Sequence, residues 1–188
     1  MTDIFDRAIV FATKAHKGVN RKGNSLPYII HPLEAATIVA TMTEDKELLA
    51  AAVLHDVIED TDFSYEDLKK EFGKRVADIV LAESDDKKSD DEYKKQWFET
   101  KTKTMERLKN SERDVKIVAL GDKLSNMRAI YSDYERYGDD LWQKFHIKEK
   151  SAHAWHYRTL ADALSSLKGE KAYAEFEGLV NALFGKSE

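Results

Sequence analysis

Apolar positions along the chain recur mostly at helical spacing. Ile4, Phe5, Ala8, Phe11, Ala12 and Ala15 fall on one face and predict a first helix over residues 3 to about 17, ending near Gly18. A polar loop follows, Lys17-Gly18-Val19-Asn20-Arg21-Lys22-Gly23-Asn24-Ser25, and leads into Pro27-Tyr28-Ile29-Ile30. Pro32 suits the first position of the next helix and puts His31 at its mouth. Residues 32 to 42 and 45 to 60 then read as two helices. Ser64-Tyr65-Glu66-Asp67 resembles a capping box that opens a short helix to Phe72, and Gly73 separates it from another over residues 75 to about 83. The polar stretch from Ser84 to Asp91 predicts a loop, and a charged helix follows over about 91 to 109. Its inward stripe is thin, comprising Trp97, Phe98, Met105 and Leu108, and would pack on its own domain or on a second copy. Helices over residues 114 to about 137, 139 to 168 and 170 to 184 complete the pattern, with Gly138 as a break.

One stretch disturbs this regularity. Leu48-Leu49-Ala50-Ala51-Ala52 is apolar nearly all round, as a buried helix should be, yet Val53-Leu54-His55-Asp56-Val57-Ile58-Glu59-Asp60-Thr61 follows directly. If the helix continues at about 100° per residue, His55, Asp56, Glu59 and Asp60 crowd into an arc of roughly 140°. Three carboxylates beside a core repel one another and are costly to desolvate unless a cation or a set of donors compensates. Acids at a helix C-terminus also oppose the macrodipole, which favours a functional role for Glu59 and Asp60.

Composition narrows the class. The 188 residues hold 2 prolines, 8 glycines and 35% charged side chains, which favours long helices. The expected fold is all-α, a bundle of about eight to ten helices in a single domain over residues 1–188. With 0 cysteines, disulfides and thiolate metal sites are excluded, which suits a reducing, cytoplasmic setting. The N-terminus, MTDIFDRAIVF, is acidic where a signal peptide is basic, and no apolar run approaches the ~18 residues of a membrane span. A net charge of -5 argues against a general nucleic-acid surface while allowing a local basic pocket for a small anion. The oligomeric state is not legible.

Three places in otherwise apolar surroundings carry groups able to bind a metal: His31 at a helix mouth, His55-Asp56 in the buried helix, and Asp122 directly after the mid-helix Gly121. Mixed imidazole and carboxylate donors suit a divalent ion. Such an ion would relieve the carboxylate repulsion and leave Glu59 and Asp60 as acids able to orient a water or move its proton. Arg21 and Lys22 would supply positive charge for phosphates. Singly, each residue has a plainer reading as a core histidine, a capping group or a solvated loop; the joint occurrence shifts the balance. A mid-helix glycine costs about 1 kcal/mol against alanine, tolerable where something must approach the backbone. His16, His146, His153 and His156 read first as structural or surface groups, with His156 a lesser candidate for the pocket.

The segments AHKGVNRKGNSLPYIIHPLEAA, AAAVLHDVIEDT, FGKRVADIV, SDDK and KIVALGDKLSNMR, in this order, resemble the HD-type hydrolase domain of bifunctional alarmone synthetase-hydrolases and the stand-alone small alarmone hydrolases, over residues 5 to 165 or so. The resemblance implies an all-α HD fold, one Mn²⁺, and removal of pyrophosphate from the 3′ position of guanosine tetra- or pentaphosphate. By position it implies that His31, His55, Asp56 and Asp122 hold the metal and that Glu59 and Asp60 activate water. It implies likewise that Arg21, Lys22 and Asn126 meet the nucleotide. Gly121 stands where the family usually has alanine, Ala129 where threonine is frequent, and His156 near a position often held by tyrosine. No synthetase segment follows within the chain, so the expected activity is degradative. Two other readings fit the same residues: a related phosphohydrolase acting on NADPH or an adenosine alarmone, and a non-catalytic nucleotide-binding helical module.

Overall fold

The computed structural model of the protein describes residues 3–21, 25–84 and 90–185, with the backbone alone for residues 90–95. Among these, all regular structure is helical: α1 (Ile4–Ala15), α2 (Ile30–Val39), α3 (Lys46–Leu54), α4 (Val57–Asp60), α5 (Tyr65–Phe72), α6 (Lys74–Glu83), α7 (Asp90–Lys109), α8 (Arg113–Tyr137), α9 (Lys150–Ala163) and α10 (Lys171–Phe184), with 3₁₀ segments at Gly138–Lys144 and Ser165–Leu167. The all-α expectation holds.

Helix starts follow side-chain chemistry. Asp3 Oδ1 accepts from the Phe5 N–H at 3.0 Å and Asp45 Oδ1 from the Glu47 N–H at 2.9 Å, so each meets a donor that the first turn leaves unpaired. Ser64 and Asp67 form the anticipated reciprocal capping box. Gly73 (φ 89°) closes α5 and opens α6, and Gly138 (φ 56°) ends α8; both adopt backbone conformations that a side chain disfavours.

The core lies around α3 and α8. Leu48, Ala50, Ala51, Ala52, Val53 and Leu54 of α3 are all buried, and α3 packs between α1, α2, α6 and α8. Each large aliphatic side chain fully buried there contributes about 1.5–3 kcal/mol. The long α8 runs about 37 Å at ~1.5 Å per residue and touches α2, α3, α6 and α10. Outside the core, Arg75 of α6 donates to Glu47 (2.6 Å) and to Asp114 (2.7 Å), and pairs with Asp45 (2.8 Å), tying the starts of α3 and α8 to α6.

Three expectations need correction. The helix expected over 45 to 60 is interrupted at His55 and Asp56, between α3 and α4. His55 Nδ1 lies 2.8 Å from the Ala52 carbonyl, the acceptor that an unbroken helix would offer to the Asp56 N–H. The helix expected over 139 to 168 is a 3₁₀ segment, a bend and α9; Phe145 and Glu149 are extended, and the bend stacks the Trp142 and His153 rings at 4.9 Å. Phe98, assigned inward on α7, is 54% exposed, whereas Trp97, Met105 and Leu108 are buried. In addition, α2 begins at Ile30, so Pro32 lies inside its first turn. Of the expected loop from Ser84 to Asp91, residues 85–89 lie outside the described residues.

Candidate functional site

Four residues from three parts of the chain meet beneath a cavity of about 370 Å³. His31 enters from the first turn of α2, His55 and Asp56 from the break between α3 and α4, and Asp122 from the middle of α8. Asp122 Oδ1 lies 3.1 Å from His31 Nε2 and 3.5 Å from His55 Nε2. Asp56 Oδ2 lies 2.8 Å from His55 Nε2 and 3.7 Å from His31 Nε2. Both imidazoles and Asp122 are buried.

The close approach behind this geometry is set by Gly121. A Cβ there would stand 2.7 Å from Val39 Cγ2 and 2.8 Å from the Ala35 carbonyl oxygen, both on α2. Lacking a Cβ, Gly121 lets α8 come this near to α2, and the adjacent Asp122 faces His31.

The rings present defined atoms to the cluster. A carbonyl only accepts, so His55 Nδ1 carries a proton toward Ala52, and Nε2 is the nitrogen turned to the carboxylates. That buried Nε2 is within ion-pair distance of Asp56. Burial opposes charge on His55, but the Asp56 and Asp122 carboxylates outweigh it and hold its pKa well above the ordinary value. Burial opposes the charge on Asp122 as well; Lys123, which bonds its Oδ2, and His55 overcome it and hold the carboxyl well below the usual range. The centre therefore calls for positive charge between its carboxylates and imidazoles. His31, His55 and Asp122 have their ligand atoms within 4.8 Å of one another, the arrangement a divalent ion needs. The donor set, buried and free of sulfur, fits such an ion.

Around the centre, the sequence-predicted residues fall as follows. Glu59, half-buried, lines the cavity. Asp60, exposed, is not among the described residues that line the cavity; surrounding protein and the nearby Asp56 charge raise its pKa. Arg21 lines the cavity and is held there by backbone pairing between Asn20 and Pro27, with the Arg21 N–H on the Leu26 carbonyl at 2.9 Å. Asn126 accepts from Arg21 NH2 at 3.3 Å and donates to Asp122 Oδ1 at 2.6 Å, linking a phosphate-type cation to the cluster. Lys22 lies outside the described residues. Ala129 and His156 both line the cavity.

Several residues were not foreseen. Tyr28 donates to Asp56 Oδ2 at 2.5 Å. The ring of the buried His16 packs 4.9 Å from that of Tyr28. Lys101 and Thr104 of α7 and Glu83 of α6 also face the cavity, and burial pushes the Glu83 carboxyl up to about 7. The available signals were slight: Tyr28 stands three residues before His31, Lys123 adjoins Asp122, and Glu83 closes a helix before an acidic stretch. The lining also holds apolar side chains, Ile130, Phe145 and Leu160, beside Asp133, His156 and Tyr157. Its cations suit phosphates and its apolar side chains a flat ring, and its volume lies within the ~300–1,000 Å³ of small-molecule sites.

Known proteins show the same architecture. A family model described as HD domain matches residues 8–148. MESH1 of Danio rerio, named a guanosine-3′,5′-bis(diphosphate) 3′-pyrophosphohydrolase, is 30% identical over 177 residues, covering 93% of this chain and 89% of its own. An Aquifex aeolicus protein of the same enzyme name is 38% identical over 125 residues, 66% of this chain, and the chain spans 17% of that relative's length. A solved structure of a metazoan orthologue of SpoT, described as hydrolysing ppGpp, aligns with a TM-score of 0.79 at 24% identity over 99% of this chain and 98% of its own, which shows the shared fold. No helix among the described residues is long and apolar enough to cross a membrane. By the extent of the family match and the near end-to-end likeness to MESH1, the chain belongs to the HD domain family.

Proposed function

We propose that residues 1–188 act as one metal-dependent hydrolase that removes pyrophosphate from the 3′ position of guanosine tetra- or pentaphosphate, leaving GDP or GTP. The carrying observation is the convergence of His31, His55, Asp56 and Asp122 on a cavity lined by both cations and apolar side chains. The names of the relatives support the substrate. His31, His55, Asp56 and Asp122 would hold one divalent ion, and the sulfur-free donor set suits the Mn²⁺ we propose. Bound there, the ion supplies a Lewis acid for a phosphoryl oxygen and lowers the pKa of water.

The chain's own groups do the rest. Glu59, on the cavity wall, takes the proton of the attacking water, and the neighbouring Asp60 accepts or returns a proton. Water oxygen bonds to the phosphorus nearest the ribose, the bond from that phosphorus to the 3′ oxygen breaks, and the 3′ oxygen takes up a proton. Arg21 and Lys101, with Lys22 proposed beside them, neutralise phosphate charge. Asn126 holds Arg21 in place, while Phe145 and Ile130 receive the base. A cysteine-free chain suits a reducing compartment, and we propose the cytoplasm.

Incubating the Mn²⁺-loaded protein with a nucleotide panel and identifying the products tests this. Pyrophosphate with GDP or GTP is expected. Orthophosphate from NADPH, or turnover of adenosine alarmones alone, would replace the substrate assignment, and binding without turnover would remove the enzymatic reading.

A further inference from the structure

Neither Ser125 nor Glu34 is among the described residues that line the cavity, yet both are tied to His31. The fully buried Ser125 has its Oγ 2.8 Å from His31 Nδ1 and 2.8 Å from Glu34 Oε2. A carboxylate only accepts, so the one hydroxyl proton of Ser125 points to Glu34. The Ser125 oxygen then accepts from the ring, so Nδ1 carries a proton, and Nε2, which faces the Asp122 carboxylate at 3.1 Å, is the nitrogen left to a cation or to a second proton. Glu34 Oε1 accepts from Arg128 at 3.1 Å, and Arg128 is itself gripped by both oxygens of Glu175 on α10, at 2.6 and 2.8 Å. Both oxygens of Glu34 thus accept, one from Ser125 and one from an anchored Arg128. His55 differs, because a backbone carbonyl fixes its ring and no side-chain change can reverse that.

We propose that Ser125 and Glu34 are positioning residues that keep a proton on Nδ1 of His31, with Arg128 holding Glu34 in place. The consequence for metal affinity rests on the reading of His31 as a ligand; the proton on Nδ1 does not. A near-isosteric change follows from the geometry. In Glu34→Gln, Arg128 can only donate and therefore holds the amide oxygen, which turns the amide NH₂ toward Ser125. The serine proton then swings to His31 Nδ1, and the ring's own proton is displaced to Nε2, the atom a metal requires bare.

Ring ¹⁵N chemical shifts of the metal-free protein read this directly. The wild type should show His31 protonated at Nδ1, Glu34→Gln should leave Nδ1 bare with the proton on Nε2, and Ser125→Ala should give a mixture. Mn²⁺ affinity by chelator competition should fall about 10–100-fold in both variants. A wild-type ring bare at Nδ1, or a Glu34→Gln spectrum identical to wild type, overturns the proposal. Unchanged Mn²⁺ affinity in both variants overturns its metal consequence. Failure of the wild type to bind Mn²⁺ instead removes the metal-centre reading, while the nitrogen shifts still judge the proton on Nδ1. If Glu34→Gln proves unstable, Ser125→Ala carries the same two measurements.

Discussion

The Tyr28 hydroxyl donates a 2.5 Å hydrogen bond to Asp56 Oδ2, the same oxygen that lies 2.8 Å from His55 Nε2. Burial, then the Asp56 charge and the bond to it, raise the Tyr28 pKa, so the phenol remains a donor throughout the working range. Asp56 is the most accessible of the four converging groups, and Tyr28 fixes where its oxygen points. Tyr28→Phe should weaken divalent-ion binding by roughly 10-fold or more, the value of about 1.5–3 kcal/mol for a hydrogen bond to a charged group. Isothermal titration with Mn²⁺ checks it, and an unchanged affinity would show that Asp56 needs no such support.

Gly121→Ala sets two effects against each other. Alanine gains about 1 kcal/mol of helix propensity. Its Cβ, however, meets Val39 Cγ2 at 2.7 Å and the Ala35 carbonyl oxygen at 2.8 Å. Overpacking costs about 1–3 kcal/mol, and a backbone carbonyl cannot rotate out of the way as a side chain can. The net should be destabilisation on the order of 1 kcal/mol, a few degrees in melting temperature, together with weaker ion binding as α2 and α8 are pushed apart. A variant as stable as wild type contradicts the contact.

Glu59→Gln should separate turnover from ion binding. Glu59 lines the cavity but is not one of the grouped donors His31, His55 and Asp122. A loss of about 10²–10⁴ in kcat is expected, with the stabilisation by metal kept. Saturation to ~100 Kd should still add about 2.7 kcal/mol. If the variant turned over substrate at the wild-type rate, the general-base role would pass to another group.

The folded chain without metal holds the His55 proton more tightly than the unfolded chain does, because the Asp56 and Asp122 charges exceed the opposing effect of burial. This stabilisation is complete below about pH 6.5 and is lost as pH rises through the raised folded value. Asp56 behaves oppositely: burial resists its ionisation, His55 prevails, and its pKa falls to about 2. Its contribution is present above pH ~3.9 and is lost as pH drops toward the folded value. Metal takes the place of the His55 proton, so ion binding should tighten with pH and release roughly one proton. Melting curves in chelator from neutral to alkaline pH, with calorimetry in buffers of different ionisation enthalpy, check both. A chelated melt indifferent to alkaline pH would contradict the coupling.

The four converging groups were legible because ionisable side chains in apolar runs are conspicuous, and His31, His55, Asp56 and Asp122 each stand in one. Gly121 was legible in kind, as a close approach, though not that α2 was the neighbour. The break at His55 was not, because it arises from a side chain competing for the Ala52 carbonyl, which leaves no mark on hydrophobic spacing. The same holds for Ser125 and Glu34, separated by 91 residues and joined only once α2 and α8 cross. The bend after Gly138 was hidden by Trp142, Phe145 and Trp155, whose apolar character fits a long helix as well as a folded-back aromatic cluster.

The crossing at Gly121 has a mechanical result. With no side chain between the two backbones, His31 and Asp122 ride on what amounts to one stiff piece of protein. An arriving ion meets a cup already shaped to receive it, so little chain rearrangement stands in its way. Exchange of one ion for another should then run at the pace at which the ion sheds its own hydration water.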